Sequence, residues 1–118
     1  MLLTSRFRMQ RQSAQAELFL DCDLVGIVEL RGVDTSWTFG EFKPRECFSK
    51  YATLFGQWSM LMHEDTDRVL HSAASDELRR VEVAIDRLDA RLHYLENDKW
   101  ERISQVNIDG EMIEWKTL

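Results

Sequence analysis

Few side chains in this sequence could do chemistry, and they are scattered. Cys22 and Cys47 could each supply a thiolate, and His63, His71 and His93 could carry a proton or hold a metal. Neither cysteine sits in a C-x-x-C or metal-finger spacing. Cys47 with a distant histidine would make a nucleophile and base. It shares an apolar face with Phe48 and Tyr51, however, where a small core residue is the expectation. Helical continuity from His63 to His71 would bring two imidazoles toward one face, with Glu64 and Asp67 as further ligands of a weak metal site. The other reading of that stretch is a solvated acidic loop. His63-Glu64 lacks the second histidine that H-E-x-x-H requires, so a zinc-protease helix is not supported. Glu29 and Glu41 fall on adjacent expected strands, where they either face each other as a carboxylate pair or simply face solvent.

Several chemistries are missing their signatures. No serine occupies a G-x-S-x-G elbow. Gly32, Gly40 and Gly56 stand alone, so neither a P-loop nor a dinucleotide fingerprint is present. The acid run Glu64, Asp65, Asp67 lacks the glycine and ligand spacing of a calcium loop. The residues therefore point to no catalytic set, no cofactor and no metal. The aromatic set Trp37, Phe39, Phe42, Phe48, Tyr51, Phe55 and Trp58 could line a ligand pocket, but it more readily makes a core. Trp100 and Trp115 lie in charged neighbourhoods and are the candidate partner-binding tryptophans, because tryptophan is enriched at interfaces; packing at the end of a sheet is the equal alternative.

The chain has 118 residues and a net charge of −6. That length implies one domain, 1–118. Residues 1–59 carry seven basic and seven acidic side chains, whereas residues 60–118 carry eight and fourteen. The acidic half repels phosphate, which argues against nucleic acid and for a protein partner. No apolar run is long enough to span a membrane, the N-terminus lacks the apolar centre of a signal peptide, and two unspaced cysteines suit a reducing cytoplasm.

The elements that must position these residues follow from periodicity. Leu3, Ser5, Phe7 and Met9 alternate with Thr4, Arg6 and Arg8, which suggests a strand; residues 1–16 read as an edge strand or an extension. Asp21 to Asp23 reads as a turn. Leu24–Val33 and Trp37–Phe42 are expected strands, with Gly26 marking a bulge or a close neighbour. Pro44 is expected to open a helix in which Phe48, Tyr51, Phe55, Trp58 and Met62 recur at spacings of three and four. Gly56 in that helix implies a close approach by another helix or the sheet. A second helix is expected from Ser75 to about Asn97, with Leu78, Val81, Ile85, Leu88, Leu92 and Leu95 forming a narrow seam. That seam fits a helix packed against the first helix equally well as one packed against a second subunit or another protein; Leu88, Leu92 and Leu95 at its end are the candidate partner-binding residues. Gln105–Ile108, Asp109-Gly110 and Glu111–Trp115 read as a hairpin with a type I′ turn at Asp109-Gly110.

Asp34, Trp37, Gly40, Phe42 and Pro44, followed by Phe48, Tyr51, Leu54 and Phe55 and later by Ile108-Asp109-Gly110, resemble the pattern of a group of small uncharacterised bacterial α+β proteins. Ser36 stands where that pattern has proline. The resemblance implies a bacterial cytoplasmic protein and supplies no catalytic residue. Periodicity gives an α+β fold class: an antiparallel sheet of about four to five strands with two helices packed on one face, in the order strands, helix, helix, strand hairpin. The functional expectation is a non-catalytic protein-interaction or structural module. The alternative is a small-molecule binding module or hydrolase with a pocket between the sheet and the first helix.

Overall fold

The computed structural model describes residues 14–68 and 72–117. Alternation of apolar and polar residues makes its strands. In β1 (Gln15–Leu20), Ala16, Leu18 and Leu20 are fully buried, while Gln15, Glu17 and Phe19 point the other way. The elements that follow are β2 (Asp23–Asp34), β3 (Trp37–Pro44), a short 3-10 turn (Glu46–Lys50), α1 (Ala52–Arg68), α2 (Ser72–Asp86), β4 (Ala90–Tyr94), β5 (Lys99–Asp109) and β6 (Met112–Thr117).

The strands do not form an open sheet of four or five. Two antiparallel meanders, β1–β2–β3 and β4–β5–β6, pair with each other through β3 with β6 and β1 with β4, which closes a six-stranded barrel. Closure leaves no free sheet edge. The expected fold is therefore corrected, and the physical reason lies in the stretch read as the end of a long helix. α2 stops at Asp86, and Ala90–Tyr94 is a strand whose partners run from Ala16↔Tyr94 to Leu20↔Ala90. Ile85, Leu88, Leu92 and Leu95 fit a helical spacing, but Ala90 and Leu92 also alternate with Arg91 and His93. Long-range pairing with β1 decides between the two periods.

Trp115, Phe42, Leu18, Leu20, Leu92, Ile113, Val25 and Val28 are fully buried in the barrel. The helices do not lie flat on one face of a sheet. Both pack against β5, and Phe55 and Trp58 of α1 join Val81 and Ile85 of α2 in the same core cluster. Phe48 meets Phe42 edge-on at 5.1 Å and stacks with Phe55 at 6.1 Å, continuing the aromatic core from the barrel into α1. Pro44 ends β3 instead of opening a helix, and α1 begins only at Ala52.

The tight turns follow side-chain chemistry. Asp21 and Cys22 both have positive φ (49° and 75°), as a type I′ turn requires. The C-terminal hairpin forms as expected but its centre falls one residue later, at Gly110-Glu111, because Asp109 still pairs with Met112. Only Gly110 has positive φ there (64°), which fits a turn of the II′ kind. Gly26 does mark a close neighbour: a Cβ there would lie 2.4 Å from the Phe42 ring and 2.6 Å from the Lys43 carbonyl oxygen. Gly56 does not, since nothing among the described residues stands within 4 Å of the Cβ it lacks. The strand expected over Leu3–Met9 and the ligand His71 lie outside the described residues.

Candidate functional site

Strand alternation puts Trp37 and Phe39 of β3, Glu114 and Lys116 of β6, and Asn107 of β5 on the outer face of the barrel wall. In the pairing register Phe39 opposes Glu114, and Glu114 opposes Asn107 on its other side. The carboxylate is thus the middle residue of a three-strand row, and Asn107 Nδ2 donates to its Oε2 at 3.1 Å. A bulge between Ser104 and Asn107, with Gln105 at φ 53°, swings Gln105 into the same region.

The helices supply the opposite wall. Trp58 and Met62 are four residues apart on α1, and Glu82 and Asp86 are four apart on α2, so each pair projects from one side of its helix. Together with Trp37 and the strand residues they enclose a groove of about 360 Å³. A second lobe of about 280 Å³, which reaches Phe39, Asp109 and Met112, shares Trp58, Asn107 and Glu114 with the first. Among the described residues, no lysine, arginine or histidine lines either lobe. Lys116, outside the lining, has its Nζ 4.9 Å from the centroid of the Trp37 ring. Trp58 is only 8% exposed, and its Nε1 is the one buried side-chain polar atom among the described residues without a hydrogen-bond partner.

The expected aromatic set therefore divides. Phe42 and Phe55 are core, Trp37 and Phe39 line the groove, and Trp58 belongs to both the core cluster and the groove lining. Sequence reasoning missed Glu82, Asp86 and Glu114 as site residues. The i, i+4 spacing of Glu82 and Asp86 was the available signal, but an acidic pair on the polar face of a helix is ordinary without the aromatic wall opposite it.

The other candidates are brought together in ways that explain them structurally. Glu29 and Glu41 are cross-strand partners, and Arg31 Nη2 bridges them at 3.0 and 2.9 Å. His63 Nε2 lies 2.9 Å from Asp109 Oδ2, while Ser59 Oγ donates to Asp109 Oδ1 at 2.7 Å. A serine nucleophile needs imidazole on its hydroxyl; here the carboxylate stands between the two, so the trio is a clamp and not a triad. Cys22 and Cys47 are both free and exposed, and Cys47 lies in the 3-10 turn, not in the core expected for it. Among the described residues no group of three or more His, Cys, Asp or Glu side chains is placed to hold a metal.

The expected partner surface breaks up as well. With α2 ending at Asp86 there is no leucine seam. Leu88 is half-buried after the helix, Leu92 is fully buried in β4, and Leu95 is 48% exposed in the β4–β5 turn. Trp115 is fully buried, and a buried ring offers a partner nothing. Trp100 alone of the two tryptophans reaches the surface, 55% exposed. Its ring stacks on His93 at 4.5 Å and meets Phe19 at 5.1 Å. His93 Nδ1 lies 2.9 Å from Glu17 Oε1 and its Nε2 meets Asp98 Oδ1. Two carboxylates on one imidazole are both satisfied only when both nitrogens carry protons, so first Glu17 and then Asp98 raises the His93 pKa above its usual 6.5.

No family model, curated protein or solved structure matches the chain. No helix among the described residues is long and apolar enough to cross a membrane.

Proposed function

We propose that this chain is a non-catalytic interaction module that takes a basic segment of a partner protein into the groove between the helical pair and the β3–β6–β5 wall. One observation carries the reading. Glu82, Asp86 and Glu114 share a groove with Trp37 and Trp58, and no cationic side chain among the described residues lines it. An ammonium or guanidinium group gains from both kinds of wall, about 0.5–2 kcal/mol from an aromatic face according to how far it is desolvated. The net charge of −6 adds long-range attraction for a basic partner and repulsion for nucleic acid. Another protein is favoured over a second copy, because a basic segment suits this acidic groove and the chain itself carries a net charge of −6. The setting is the bacterial cytoplasm that the sequence resemblance implies.

The test is a fluorescence titration of the full chain with a short Lys/Arg peptide at low and high salt. Saturable binding that weakens with salt and falls roughly three- to tenfold in Glu82→Gln/Asp86→Asn supports the reading. Absence of saturable binding, or equal affinity in the doubly neutralised variant, overturns it. A second reading, a small-molecule amine site, is favoured by the closeness of the groove to α1 and its volume of about 360 Å³. Charge removal alone would not separate a free amine from a peptide.

A further inference from the structure

We infer that the ligand of this groove is a peptide and not a free amine, with Trp58 Nε1 donating to a main-chain carbonyl while a basic side chain of the same ligand lies against Trp37 and the carboxylates. The inference rests on the groove reading above and adds the chemistry of the second contact.

An indole N–H can only donate, and a buried donor with no acceptor is an uncommon feature of a folded protein. Trp58 is more than nine-tenths buried, its Nε1 has no partner, and its ring lines both lobes of the groove. Of the carboxylates that line the lobes, Glu114 accepts from Asn107 and Asp109 accepts from Ser59, and neither accepts from Trp58. A ligand carbonyl would supply the acceptor that Trp58 lacks. Met62 shares that wall, and its unbranched, 41% exposed side chain can adapt as a ligand enters.

The cationic half of the ligand has its own precedent within the chain. Lys116 Nζ stands over Trp37 at 4.9 Å, which is the contact a ligand lysine would make. A protonated polyamine could satisfy Trp37, Glu82, Asp86 and Glu114, but it has no lone pair to offer Trp58. A peptide carries a carbonyl at every residue, so a basic peptide complements both halves of the groove.

The experiment compares two trivalent cations, an acetylated and amidated Lys-Arg-Lys peptide and spermidine, by calorimetry on the wild-type chain and on Trp58→Phe. The indole N–H resonance of Trp58 is followed in parallel in the wild type, so that the conclusion survives if the variant folds poorly. The peptide is expected to bind more tightly than spermidine and to lose roughly five- to tenfold in affinity in Trp58→Phe, with spermidine affinity unchanged. The indole proton is expected to shift downfield with peptide and not with spermidine. Equal binding of the two cations, an equal loss for both, or an indole resonance that ignores the peptide overturns the inference while leaving the groove as a cation site. Failure of both to bind overturns the groove reading itself.

Discussion

The hydroxyl of Ser59 on α1 donates to Asp109 at 2.7 Å, and this bond ties the helical pair to the hairpin that completes the barrel. His63, one turn further along α1, holds the other carboxylate oxygen. Ser59 first and His63 second keep the Asp109 pKa below its ordinary 3.8. A lowered carboxylate pKa contributes stability that is fully present above the ordinary value and is lost as pH falls through the lower folded one. Asp109→Asn preserves the turn residue and removes the charge. It should cost under about 1 kcal/mol at neutral pH, because the side chain is half exposed and screened. In urea melts the gap to wild type should close in strong acid; a gap that persists would mean that turn geometry, not charge, sets it.

His93 titrates with the opposite sign. Its pKa is raised, first by Glu17 and then by Asp98, so its contribution is complete below about pH 6.5 and fades as pH rises through the higher folded value. His93→Gln should therefore be less stable than wild type in mild acid and approach it in alkali. Chemical-shift titration of the imidazole gives the folded pKa directly. An unshifted value would mean that Glu17 and Asp98 do not act on the ring in solution.

Trp115 and Trp100 separate core from surface. Trp115 is fully enclosed, so Trp115→Ala should cost about 3–5 kcal/mol. Trp100→Ala removes a half-exposed ring that touches His93 and Phe19 and should cost about 1 kcal/mol. Denaturation midpoints of the two variants decide it, and similar losses would contradict the burial pattern.

These two tryptophans show why the sequence was only partly legible. Both stand among charged residues, and neither neighbourhood says which one a barrel interior will claim. The strands expected over residues 24–33 and 37–42 and the C-terminal hairpin declared themselves through composition, alternation and turn chemistry. The segment Ile85 to Leu95 did not, because its leucines satisfy a helical spacing while Ala90 and Leu92 satisfy an alternating one. Only pairing with Ala16–Leu20, some seventy residues earlier, resolves it. With Ala90–Tyr94 read as helix and its partner Gln15–Leu20 not read as a strand, the closed barrel becomes an open sheet and a seam appears that is not there. The groove was illegible for a related reason: Trp37, Trp58, Glu82 and Glu114 come from four elements, and no local pattern connects them.

Gly56 offers a test of packing without chemistry. It is helical and exposed, and its missing Cβ would meet nothing. Gly56→Ala should stabilise the chain by about 0.5–1 kcal/mol, through helix propensity and a less flexible unfolded state. A thermal melt reads the change directly. A loss of stability would mean that the residues facing this turn of α1, Phe48 and Ile108 among them, approach more closely in solution.

Lys116 is the internal rival of any cation that enters the groove. Its ammonium group lies over Trp37 and beside the row that carries Glu114, where it covers part of the aromatic face. Lys116→Met frees that face and should tighten binding of a Lys-Arg-Lys peptide about threefold. Removing any positive charge makes an acidic protein more attractive to a basic peptide, so Lys99→Met serves as the control: Lys99 opens β5 opposite Tyr94 and lines neither lobe. Only the Lys116 change should act through the ring. In a Trp37→Leu background its gain should shrink to that of the Lys99 control, because without the indole face there is no contact for the two cations to contest. A gain that survives the loss of Trp37 would assign the effect to net charge and remove Trp37 from the binding surface.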